Sequence, residues 1–167
     1  MKVMGFAGWS GVGKTTLIEQ VVRSLSARGL AVSLVKHAHH DFDIDHEGKD
    51  SWRHRHAGCR EVLISSAQRW ALMHELRGAP EAGLDELLAL LGECDLALVE
   101  GFKRAAIPKI EVRRASTGHP PLAPADPHIV AIASDVGGAE TLPVLDLNDA
   151  DAVADFIISH LDLQPPR

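Results

Sequence analysis

Short apolar runs alternate with amphipathic stretches along almost the whole chain, and that alternation predicts the order of elements. Lys2–Ala7 reads as a buried strand. Helical spacing follows over residues 15–28, with Leu17, Ile18, Val21, Val22 and Leu25 on one stripe. Gly29 stands where a left-handed helix cap is expected, ahead of a second apolar strand at residues 30–35. The opening is therefore a βαβ unit.

Residues 37–47 are polar and aperiodic. Asp50 and Ser51 can cap a short helix running to Gly58. Residues 60–65 and 69–74 form two strand patterns around a turn at residues 66–68, the signature of a hairpin. Leu84, Leu87, Leu88 and Leu91 mark another helix, ended by Gly92. Strands are expected at residues 95–100, 109–112 and 129–133. The last helix spans residues 149–161, with Val153, Phe156, Ile157 and Leu161 inward and residues 143–145 leading into it. Residues 116–127 hold four prolines and no apolar period, so they read as a surface loop, and residues 164–167 as a frayed tail. Strands alternating with helices predict an α/β fold with a mostly parallel sheet, in which ligands sit at the carboxyl ends of the strands.

At 167 residues the chain reads as one domain, and its 46% apolar and 24% charged residues are ordinary for a globular protein. No apolar run approaches the ~20 residues of a membrane span. Residues 1–3 run straight into the first strand, so neither a secretory signal nor a location outside the cytoplasm is expected. Cys59 and Cys94 form no close pair and are expected as small core residues. A net charge of −6 argues against a nucleic-acid partner. Residues 49–60 run against that balance, with Lys49, Arg53, Arg55 and Arg60 facing only Asp50. Such a patch suits a small anion.

Residues 8–16 read GWSGVGKTT and carry the sharpest signal. Gly8, Gly13, Lys14 and Thr15 meet the phosphate-loop pattern between a strand and a helix. The backbone N–H groups from Ser10 through Gly11, Val12 and Gly13 to Thr16 would wrap phosphates, and Lys14 would reach the β/γ-phosphates. The Thr15 hydroxyl would ligate Mg²⁺. Glu100 closes a buried strand and can hold the same ion or its water, or else face solvent. Lys14 and Glu100 are thus the candidates for any catalytic role. Gly101, Phe102 and Lys103 supply a tight turn and a cation at that edge.

Lys36 and His37 end the second strand, where residues sensing a γ-phosphate lie, although a lysine there also fits plain solvation. Lys49 and Arg53 open the basic helix, which is either an anion site or an exposed charged face. The histidines at 37, 39, 40, 46, 54 and 56, with Asp41, Asp43 and Asp45, raise nickel or zinc binding against ordinary hydrogen bonding. Asp135 could accept guanine N1–H and N2–H, yet the rest of the usual guanine motif is absent, so guanine and adenine both stay open.

Taken together, these residues resemble the molybdopterin-guanine dinucleotide biosynthesis adapter family, MobB. The resemblance rests on residues 8–16, on Lys36 and His37 with His39 and His40, and on Phe42 and Asp45. It extends to GKDS at 48–51, Ala57 and Gly58, EGFK at 100–103, and Pro108 with Lys109. It implies a P-loop NTPase-type three-layer fold and a homodimer that binds GTP with Mg²⁺ and hydrolyses it weakly. It also implies assistance to a nucleotidyltransferase, the molybdenum cofactor guanylyltransferase, with the GKDS segment facing either the pterin phosphate of a molybdopterin-type cofactor or that partner. Two other classes fit the loop: a nickel or zinc metallochaperone GTPase and a small-molecule kinase.

Overall fold

The computed structural model describes residues 1–38, 42–138 and 141–166. Its contacts divide the chain into two units, Met1–His37 with the chain from Leu84 onward, and Ala38–Gly83 between them.

The larger unit is built on a six-stranded sheet: β1 (Lys2–Ala7), β2 (Val32–Lys36), β5 (Leu96–Glu100), β6 (Lys109–Arg113), β7 (Ile129–Ser134) and β8 (Val144–Asp146). Spatial order is β2-β5-β1-β6-β7-β8, and every pairing is parallel. All five residues of β5 are buried, as expected where strands have both faces covered. Two long helices, α1 (Lys14–Ala27) and α4 (Ala150–Leu161), pack on each other and on the sheet. Leu17, Ile18, Val21 and Leu25 of α1 and Val153, Ala154 and Ile157 of α4 enter one core with Met4, Phe6, Leu98 and Ile110. Each such Leu or Ile contributes about 1.5–3 kcal/mol through burial.

Helix α1 ends at Gly29, whose φ is +84° and against which the Pro166 ring lies. Part of the expected frayed tail is therefore packed, and Leu163 before it is also buried. Helix α4 starts at Asp149, whose carboxylate accepts the Ala152 N–H at 2.9 Å. The leucine-rich helix α3 (Leu84–Ala89) is shorter than its pattern suggests, and Leu90 beyond it is exposed. The segment 143–145 is mostly strand β8. The proline-rich stretch contains two 3₁₀ turns, Ala115–Thr117 and Ala123–Ala125.

The second unit holds α2 (Asp50–Ala57) and the antiparallel hairpin β3 (Glu61–Ser65) and β4 (Trp70–His74). Lys49, not Asp50 or Ser51, is the residue before the first turn of α2, and no side chain caps that end. On the hairpin, Leu63 pairs with Leu72 and Ser65 with Trp70, so one face carries Leu63, Leu72 and Trp70, all exposed. The opposite face turns Met73 inward. Cys59 is exposed rather than in the core, and both cysteines are free thiols. Among the described residues, no helix is long and apolar enough to cross a membrane.

Candidate functional site

The loop between β1 and α1 is shaped by its glycines. A Cβ on Gly8 would meet the Val112 carbonyl oxygen at 2.7 Å, so only glycine lets β1 leave the sheet this close to β6. Gly13 precedes the first helical turn with φ +94°. That turn has no side-chain cap and no acidic residue, which leaves its N–H groups and positive dipole end to an anion. Ser10, Gly11, Thr15 and Thr16 are exposed along this end. The Val12 side chain is buried in the core, so only its backbone serves the loop.

Lys14 folds over the loop, its Nζ donating to the carbonyls of Gly8 at 3.0 Å and Trp9 at 2.8 Å. Burial holds the Lys14 ammonium below its ordinary value. Glu100 opposes that shift, while the charges of Lys103 and Lys36 add to it. Thr15 Oγ1 donates to Glu100 Oε1 at 3.1 Å, and Lys36 Nζ lies 3.3 Å from Glu100 Oε2. The sheet order explains this meeting: β5 lies between β1 and β2, so all three carboxyl ends face one place. His37 reaches it through its N–H to the Glu100 carbonyl at 2.9 Å, with its ring edge-on to Phe102. Gly101, at φ +101°, permits that approach, since a Cβ there would lie 3.0 Å from His37 Cβ.

Further contacts of the site join residues whose partners the sequence does not reveal. Trp9 Nε1 donates to the Pro120 carbonyl at 2.9 Å, and its ring stacks on His119. Lys103 Nζ sits 4.8 Å from the Trp9 ring centroid, a cation–π arrangement. Arg114 brings its guanidinium beside Gly13, 3.3 Å from where a Cβ would stand. Lys109 and Glu111, two apart on β6, are 2% and 1% exposed. Glu111 accepts the N–H groups of Leu122 at 2.7 Å and Ala123 at 2.8 Å, and Arg113 Nη2 at 2.8 Å. That buried carboxylate anchors the proline-rich loop beside Trp9.

Asp135 follows β7. Its Oδ1 accepts the Ala115 N–H at 2.8 Å and its Oδ2 lies 3.8 Å from Arg114. A cavity of about 140 Å³ opens nearby, lined by Arg114, Ala115, Ser134, Val136, Gly137 and Val144 among others. Lys49 and Arg53 belong to the second unit, where Arg53 lies 4.0 Å from Asp50.

Within that unit Arg55 is held by three carboxylates: Asp43 at 2.6 Å, Asp45 at 3.0 Å and Glu75 at 3.1 Å. The hydrogen bonds that Arg55 donates to Asp45, Asp43 and Glu75 raise its pKa, and the one to Asp43 lowers that of the aspartate. Two of the aspartates weighed as metal ligands are thus bound to arginine. Among the described residues no group of three or more His, Cys, Asp or Glu side chains could hold a metal ion. His39, His40 and Asp41 lie outside the described residues.

Around the glycine loop, four cations (Lys14, Lys36, Lys103 and Arg114) outnumber two carboxylates, Glu100 and Asp135, a balance that favours a compact polyanion. The parallel sheet and the loop between its first strand and first helix define the P-loop NTPase-type α/β class. The family model for MobB, molybdopterin guanine dinucleotide synthesis protein B, matches residues 3–135, and the chain belongs to that family. It is 42% identical over 165 residues to the molybdopterin-guanine dinucleotide biosynthesis adapter protein of Escherichia coli (strain K12), covering 97% of this chain and 94% of that protein. The protein of the same name from Haemophilus influenzae is 40% identical, with 93% of this chain and 86% of that protein covered. Among solved structures, Bacillus subtilis MobB superposes with a TM-score of 0.75 at 26% identity, covering 96% of this chain and 98% of that one.

Proposed function

We propose that this chain is an adapter in molybdopterin-guanine dinucleotide biosynthesis that binds GTP with Mg²⁺ at the glycine loop. One observation carries the nucleotide half: Lys14, Thr15, Glu100 and Lys36 converge where β1, β5 and β2 end. The adapter half is supported by the names of the relatives above.

Backbone N–H groups at the end of the loop and in the first turn of α1 would receive phosphate oxygens, and Lys14 would exchange the Gly8 and Trp9 carbonyls for the β/γ-phosphates. The Thr15 hydroxyl and Glu100 carboxylate are hard oxygen donors that fit Mg²⁺. When bound, that ion supplies neutralisation of phosphate charge. Lys36 and Lys103 would meet the remaining phosphate charge. Asp135 keeps acceptor capacity beyond its bond to Ala115, because a carboxylate offers about four lone-pair sites. It would read guanine N1–H and N2–H.

Hydrolysis is weak at most and serves timing. The partner is a nucleotidyltransferase, the molybdenum cofactor guanylyltransferase, which joins GMP to the pterin phosphate. A molybdopterin-type cofactor would be met by Lys49 and Arg53 at the uncapped start of α2. The protein acts in the cytoplasm as a homodimer. The exposed Leu63, Leu72 and Trp70 face is offered to a second copy, so Leu72→Glu should yield monomers in size-exclusion chromatography with light scattering.

The central test is calorimetric titration with GTP and ATP, each with Mg²⁺. Lys14→Ala should weaken GTP binding about a hundredfold, equivalent to two charge-assisted hydrogen bonds. A Lys14→Ala protein with unchanged GTP affinity would sink the proposal, and a preference for ATP would sink its guanine half.

A further inference from the structure

Lys109 stands at the start of β6, in the interior of the sheet, and is 2% exposed. Burying an ammonium is costly, and well-packed apolar side chains in place of a buried ion pair are often no less stable. Stability alone therefore does not account for this lysine; what it holds does. All three of its N–H donors are committed: to the Lys103 carbonyl at 3.0 Å, the Ala105 carbonyl at 2.7 Å, and Asp126 Oδ2 at 2.7 Å.

Two of those acceptors belong to the turn that follows Glu100 and Gly101. The turn is tight, with the Lys103 N–H donating back to the Gly101 carbonyl at 2.7 Å and the Ala105 N–H to Phe102 at 3.1 Å. It carries the Lys103 ammonium to the Trp9 ring inside the glycine loop. The aliphatic stem of Lys109 lies over Gly5, its register partner in β1, where a Cβ would meet Lys109 Cγ at 2.6 Å. Lys109 is thus wedged between the strand that enters the loop and the turn that overhangs it. Asp126, the third acceptor, is also fixed by the His128 N–H at 3.0 Å.

We propose that Lys109 is a positioning residue for the nucleotide site: its buried ammonium locks the turn at residues 103–105 and so sets Lys103 against Trp9 at the loop. The inference rests on the reading of that loop as a GTP site. Lys109 itself stays clear of the phosphates and acts through Lys103. A lysine that merely tethered the proline-rich loop would affect folding without coupling to Lys103, and this difference is measurable.

The experiment compares the full-length protein with Lys103→Met, Lys109→Met and the double variant, by calorimetric titration with GTP and Mg²⁺. Loss of one charge-assisted contact predicts about tenfold weaker binding for Lys103→Met, and a similar loss for Lys109→Met. The double variant should be no weaker than either single one, the mark of one coupled unit. In a Trp52→Phe/Trp70→Phe background, Trp9 emission should become about twofold more quenchable by acrylamide in Lys109→Met without nucleotide, through loss of the cation over its ring. Where Lys109→Met does not fold, Asp126→Asn, which keeps the ammonium and both carbonyl bonds, should weaken GTP binding about threefold in the same direction. Wild-type affinity in Lys103→Met overturns both the phosphate role of Lys103 and this inference. A weakened Lys103→Met beside an unchanged Lys109→Met or Asp126→Asn overturns the inference alone, as do losses that multiply in the double variant.

Discussion

Thr15 and Glu100 lie 85 positions apart in sequence, yet the threonine hydroxyl donates to the glutamate carboxylate at 3.1 Å. β5 sits directly beside β1, and the register pairs Phe6 with Glu100, so the strand-end carboxylate falls under the first turn of α1. The second carboxylate oxygen faces Lys36 at 3.3 Å. Glu100→Gln keeps the shape and a hydrogen-bond acceptor but removes the charge. The Mg²⁺ concentration needed for half-maximal GTP binding should rise about tenfold, in the range seen when a residue supporting a metal site is lost. Titrating GTP affinity against Mg²⁺ checks it, and an unchanged Mg²⁺ requirement would remove Glu100 from the ion's environment.

Lys14 gives the site a pH signature. Its free-protein pKa is below 10.5 because burial disfavours the charge, with Glu100 opposing and Lys103 and Lys36 reinforcing. A triphosphate beside it raises the bound pKa, so GTP binding takes up a proton in the alkaline window beneath 10.5, and affinity falls as pH climbs through the lowered value. Unfolded Lys14 keeps its proton up to about 10.5, so this group makes the unliganded fold more stable as pH rises through the same window. Calorimetry in buffers of different ionisation heat measures the uptake. Lys103→Met removes a like charge and should move the edge to higher pH; a shift to lower pH would contradict the arrangement.

Glu111 makes the proline-rich loop part of the site. In Glu111→Gln the new amide faces two backbone N–H groups with only one acceptor oxygen. Breaking such a buried set costs about 3 kcal/mol, a drop in Tm of about 6–12 °C for a chain of this size. Thermal unfolding by circular dichroism decides it, and a Tm within a degree of wild type would show that the loop is held by other contacts.

Two glycines of the loop should respond differently to alanine. A methyl on Gly8 collides with the Val112 carbonyl at 2.7 Å, and that oxygen belongs to the β6 backbone. One on Gly11 meets nothing within 4 Å and carries only the strain of φ +79°. Gly11→Ala should cost about 1 kcal/mol, whereas Gly8→Ala should shift the loop and abolish GTP binding. Equal behaviour in unfolding and titration experiments would contradict the close approach of β1 to β6.

Where a segment has one clear period, sequence and structure agree closely: β1, the stripe on α1 and the hairpin around residues 66–68 are legible from apolar spacing alone. So is the core of the site, because the glycine spacing, Lys14, Thr15 and Glu100 all lie in short local patterns. Lys109 and Glu111 escape such reading for a definite reason. Polar residues two apart on a strand suggest an outward face, but β6 has neighbours on both sides and covered faces, so both charges turn inward. The bonds that satisfy them come from residues up to seventeen positions away (Lys109 to Asp126) and from a loop with no apolar period. The same absence of period hides the two 3₁₀ turns, and β8 is too short for alternation to register. Val12 divides its roles, with its backbone in the loop and its side chain in the core, a distinction that residue type cannot express.

The parallel topology also dictates an order of assembly. β1 is made before the strands it pairs with, and among the described residues those are β5 and β6, near residues 96–100 and 109–113. At about 5–20 residues per second on the ribosome, it waits some 5–20 s for those partners. The hairpin, whose paired strands lie within residues 61–74, closes in about 1–10 μs once both strands have emerged. The strand that leads into the glycine loop therefore acquires its working shape late, and until then its apolar residues are exposed to aggregation.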